Sequence, residues 1–138
     1  MYAMMNRTRN PYLQSGARSE ATVATPHRLV QMLFESLLEK LAVAKGAMAR
    51  RDTVSKIERI DRALEILHHL RALLDHDRGG EVAANLDALY EYASARLFEA
   101  NRHDDIAALD EVVSLIREIK SGWDGIKQSG DPRTSVQV

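Results

Sequence analysis

An all-α fold, an antiparallel up-and-down four-helix bundle, is what this sequence predicts, and three observations predict it. Apolar residues recur at intervals of three and four through four successive stretches, the period that places one stripe on one face of a helix. The prolines, Pro11, Pro26 and Pro132, all lie near the ends, so the middle of the chain is free of helix breakers. The breaks between stretches are short, and short connections make successive helices antiparallel neighbours.

The first helix opens at "TPHRLVQMLFESLLEKL". Thr25 can accept from an orphan N–H as N-cap, and Pro26 suits the first helical position because its missing N–H would have had no partner there. Leu29, Val30, Leu33, Phe34, Leu37 and Leu41 form its core stripe, and it should end near Arg50 or Arg51. A second helix is expected from about Ser55 to Leu74 and a third from about Glu81 to Ala100, the third with Val82, Leu86, Leu89, Tyr90, Ala93 and Leu97 facing inward. After the corner "ANRHDD", a fourth starts near Asp104 and aligns Ile106, Leu109, Val112, Val113, Ile116, Ile119 and Trp123. Each helix of roughly 20 residues would be about 30 Å long. Residues 1–24 are polar and aperiodic and form an N-terminal segment outside the bundle. The bundle takes 25–127, and 128–138 has the composition of a disordered tail.

Composition narrows the function classes. The chain has 138 residues, 19 basic and 20 acidic side chains and a formal net charge of -1, which is one domain's length without the basic excess of a nucleic-acid binder. Cysteine is absent, so disulfides, zinc–thiolate sites and thiol nucleophiles are excluded. The opening "MYAMMNRTRNPYLQ" has no apolar leader pattern, and no apolar run approaches the ~18 residues of a membrane span. A cytoplasmic protein without membrane insertion is expected.

Several residue groups invite a chemical reading. Gly79 and Gly80 precede a helix, where backbone N–H groups can cradle a phosphate, but no Lys-Ser/Thr follows and Glu81 stands where the anion would sit. The pair reads as a corner, with at least one glycine at positive φ closing the second helix. Glu65 and His68 have the E-x-x-H spacing of a di-iron bundle, yet no second such pair exists, and His69 and His76 are about 10 Å apart along a helix, too far to share an ion directly. Neither a metal nor a cofactor is expected. Arg71 and Arg96 lie beside apolar stripes, and a small helical enzyme acting on an anionic substrate through them is the alternative function; guanidinium stems laid along the core edge with their heads in water are the favoured account, because no Lys or Gln in a matching apolar setting completes such a site.

The second helix is the anomaly. Ile57, Ile60, Leu64, Leu67 and Leu74 supply a core stripe, but Ala63, Ile66, Leu70 and Leu73 form a second stripe beside it, for an apolar arc of roughly 200°. Ala88 and Tyr92 flank the core stripe of the third helix. Read as surplus to the core, these six residues form a groove for another protein's helix; a homodimer or a covering segment from the chain's own end would also bury them, and the competing reading is a simple bundle that buries the second helix deeply.

The blocks "NPYLQ", "TPHRLVQMLFESLLEKLAVAK", "GGEVAANLDALYEYASARLFEAN" and "LDEVVSLIREIKSGWDGI" resemble, in order, the FliS family of flagellin-specific export chaperones, over roughly residues 10–126. The resemblance implies a cytoplasmic four-helix bundle that binds the C-terminal segment of flagellin without cofactor or ATP, keeps it from polymerising early, and delivers it to the flagellar type III export apparatus. It also implies an N-terminal cap, here Pro11, Tyr12 and Leu13, that covers the bundle until flagellin replaces it. Two departures stand out: Ser15 and Gly16 follow Gln14 where many relatives carry a second tyrosine, and Phe34 replaces a common tyrosine.

Overall fold

A computed structural model describes residues 24–126, and these form four helices: α1 Pro26–Ala49, α2 Thr53–Ala72, α3 His76–His103 and α4 Ile106–Asp124. Each helix packs on two neighbours, α1 on α2 and α4, α3 on α2 and α4, which closes an antiparallel ring in chain order. The N-terminal residues Pro11, Tyr12 and Leu13 and the tail 128–138 lie outside the described residues.

Local chemistry sets the helix ends. The Thr25 hydroxyl accepts from the Arg28 N–H at 3.1 Å, with Pro26 in the first turn. The other three helices open on aspartate caps: Asp52 accepts from the Ser55 N–H, Asp75 from Arg78 and Asp105 from Ala108. Each carboxylate satisfies an orphan donor and sits at the positive end of the helix dipole.

The third helix begins earlier than expected. Asp75 caps a first turn over residues 76–79, and Gly80, at φ +51° and ψ −124°, breaks it before the main run starts. One glycine of the pair thus has the anticipated positive φ but does not close α2. That helix ends at Ala72 and is capped by Leu73, whose own N–H turns back to the His69 and Leu70 carbonyls.

Phe34, Leu37 and Leu41 of α1, Ile60 and Leu67 of α2, Leu97 of α3, and Leu109, Val112 and Ile116 of α4 are fully buried. Alanines 44, 47, 63, 83, 93, 100 and 108 are fully buried with them. On α2 the expected division fails. Ala63, Ile66 and Leu70, read as surplus, are buried core residues, whereas Ile57 of the assumed core stripe is exposed and Leu64 is half-buried. The inward direction lies between the two stripes, so the broad arc is a core flanked on both sides. On α3, Tyr90, Ala93 and Leu97 are buried as expected, but Val82 and Leu89 are exposed.

Candidate functional site: an apolar groove at one end of the bundle

Four helix ends meet where α1 begins, α2 ends, α3 begins and α4 ends. They enclose a groove of about 360 Å³. Pro26, Leu29, Val30 and Phe34 come from α1, Leu70, Leu73 and Leu74 from the end of α2, and Val82, Leu86 and Tyr90 from α3. Glu118, Ile119, Gly122, Trp123 and Ile126 complete it from the end of α4. Among these described lining residues Glu118 alone carries a charge. Leu29, Leu73 and Val82 leave much of their side chains in water, an exposed apolar rim of the kind that marks a binding surface. Burial pushes the Tyr90 phenol well above its ordinary value.

Trp123 forms one wall. Its ring stacks on His27 with centroids 4.8 Å apart and planes 13° off parallel, and its Nε1–H donates to the His27 carbonyl at 3.0 Å.

Of the six residues read as a groove in the sequence, the structure brings only Leu70 and Leu73 to this one. Ala63 and Ile66 are interior. Ala88 is exposed on α3 without lining the groove, and Tyr92 sits on the α3–α4 seam, where its hydroxyl donates to Glu111. Arg71 and Arg96 do not converge. Arg71 grips Asp87 with two hydrogen bonds of 2.8 and 3.2 Å across the α2–α3 seam, and Arg96 donates to Glu111 at 2.9 Å across α3–α4. Both guanidiniums are committed to joining helices. The hydrogen bond from Arg71 holds the Asp87 carboxyl below its ordinary value; those from Tyr92 and then Arg96 do the same for Glu111. Glu65 pairs with Arg62 at 3.4 Å, and His68, His69 and His76 are exposed.

Reading single helices missed most of the groove, because no one helix displays it. A usable signal existed: Leu29, Leu73, Val82 and Trp123 each lie within a turn or two of a helix terminus, and antiparallel order sends all four termini to one end. His27 was also missed, although it stands three and seven residues before Val30 and Phe34 on the same face of α1.

Comparison with known proteins places these observations in a family context. A family model described as flagellar protein FliS matches residues 8–130. The chain is 49% identical over 126 residues to the flagellar secretion chaperone FliSB of Pseudomonas aeruginosa, covering 91% of this chain and 98% of that protein. It is 38% identical to the flagellar secretion chaperone FliS of Vibrio cholerae over 92% of this chain and 93% of that one. For FliS of Salmonella typhimurium the identity is 36%, over 91% of each chain.

Proposed function

This chain belongs to the FliS family of flagellar secretion chaperones, and from that membership we propose that it binds the C-terminal segment of flagellin, prevents its premature polymerisation and delivers it to the flagellar type III export apparatus. The observation that carries the proposal on this chain is the apolar groove, open to solvent along Leu29, Leu73 and Val82. A client segment that is unfolded before assembly can fold into such a groove as an amphipathic helix, offsetting its ordering entropy with buried apolar surface. The exposed rim supplies that surface without unfolding the bundle. Binding is the whole of the chemistry required, so the cytoplasmic chaperone needs neither nucleotide nor metal. In this reading the N-terminal residues Pro11, Tyr12 and Leu13 act as an exchangeable cover for the same groove.

The test is a mixture of purified protein with flagellin, intact or lacking its C-terminal segment, followed by size exclusion. A complex with intact flagellin alone is expected. Equal binding of the truncated form would remove the C-terminal segment as the client.

A further inference from the structure

Among the described residues, one buried side-chain nitrogen or oxygen has no hydrogen-bond partner: His27 Nδ1. The residue is only 5% exposed, so this nitrogen is desolvated without compensation. An apolar side chain would fill the same space without that cost. Stability therefore gives no reason for an imidazole here, and its reason has to be sought in what the ring touches.

It touches Trp123. His27 does not line the groove, while Trp123 does, and His27 holds Trp123 at two points: ring against ring, and backbone carbonyl against the indole Nε1–H. Two contacts from a single residue fix both the tilt of the indole and its position along the ring plane. The stack is offset aromatic packing, which prefers defined centroid separations and so resists rotation of the indole. His27 is also continuous in the chain with Pro26, itself a lining residue, so the orientation of Trp123 is referenced to the first turn of α1 on the neighbouring wall.

We propose that His27 is a positioning residue of the groove: it holds the Trp123 indole as a fixed wall and sets client affinity without touching the client. The inference rests on the reading of the groove as the client's seat. A wall fixed before binding spares the complex the entropy of ordering a large side chain, which is how preorganisation raises affinity.

The test compares full-length wild-type protein with His27→Leu, which fills the site without a ring, and His27→Phe, which restores one. Trp123 is the only tryptophan, so its emission and anisotropy report the wall directly. His27→Leu should remain folded, with its melting temperature unchanged or raised, while Trp123 emission shifts, its anisotropy falls, and flagellin affinity drops about tenfold, equivalent to about 1.4 kcal/mol. His27→Phe should return both signals toward wild type. A purely structural residue would move the melting temperature and leave affinity at low temperature alone. Wild-type emission and affinity in His27→Leu, or failure of His27→Phe to restore them, overturns the proposal. His27→Gln gives the same test if the leucine variant does not fold. If wild-type protein binds no flagellin, the client assignment falls by itself. Trp123 then decides the positioning role: altered emission in His27→Leu sustains it, and unaltered emission overturns it.

Discussion

The Lys56 ammonium lies 2.7 Å from the Asp104 carboxylate and 2.9 Å from the Asn101 carbonyl, with the lysine side chain 7% exposed and the aspartate 68%. One buried cation from α2 thus closes the C-terminus of α3, where unpaired carbonyls and the negative end of the dipole favour positive charge. Asp104 adopts the left-handed conformation there, φ +50°, and turns the chain into α4. Lys56→Met keeps the stem and removes the donors, and should cost about 1–3 kcal/mol because the Asn101 carbonyl loses its partner. Asp104→Asn should cost less, about 1 kcal/mol, since the Asp104 side chain is exposed, an amide oxygen can still accept from the Lys56 ammonium, and Asn tolerates a left-handed cap. Urea unfolding of both variants checks the order. The reverse order would place the energy in the ion pair.

Leu70 and Leu73 both line the groove, and they separate its buried part from its exposed rim. Leu70 is 2% exposed, so Leu70→Ala should destabilise by about 2–5 kcal/mol and Leu70→Asp should unfold the bundle. Leu73 is 54% exposed on the groove rim, and Leu73→Asp should leave the melting temperature nearly unchanged while weakening flagellin binding severely. Thermal melts paired with a binding titration distinguish them. Full flagellin affinity in a folded Leu73→Asp variant would move the client off this groove.

Much of this bundle was legible in the sequence because its signals are local. Thr25 and Pro26 announce α1, and the apolar period of α4 identifies its buried face. The assignment of α2 failed because period alone gives the width of an apolar arc and not which part of it points inward. Neighbours decide that, and they bury Ala63, Ile66 and Leu70 while leaving Ile57 exposed. Lys56 hid for the opposite reason: charge suggested solvent, although it stands four and seven residues before Ile60 and Ala63 on the buried face. The groove is a tertiary property of four helix ends, absent from any one of them.

Gly80 should be the glycine that matters. At φ +51° and ψ −124°, Gly80→Ala meets no neighbouring atom within 4 Å, so any loss comes from the backbone alone, about 1–3 kcal/mol. Gly79→Ala should cost far less, since Gly79 sits in the helical first turn with its N–H on the Asp75 carbonyl. Equal losses in chemical denaturation would contradict this assignment.

Acid should weaken the α2–α3 and α3–α4 seams. Asp87 and Glu111 titrate below their ordinary values of 3.8 and 4.5, so the unfolded chain takes up protons first as pH falls. Their contribution is complete above those ordinary values and is lost as pH drops through the lower folded ones. Melting temperature should therefore fall between about pH 5 and about pH 3, and Glu111→Gln should flatten part of that fall. An unchanged slope in Glu111→Gln would remove this carboxylate from the account.

Pro26, the first helical residue, and Ile126, the last described, both line the groove, so the chain enters and leaves the bundle at the same mouth. On the proposed reading, a segment joined directly to Pro26 or Ile126 would sit at that mouth at an effective concentration on the order of millimolar and would compete with the client intramolecularly even when its own affinity is weak. An apolar segment placed there would depress apparent client affinity without altering the fold. The corner at Arg51 offers the opposite: it lies a full α1 away, 24 residues or about 36 Å. Because the chain has no cysteine, a single Arg51→Cys substitution would accept one fluorophore at a defined place, at the end of the bundle away from the proposed client groove.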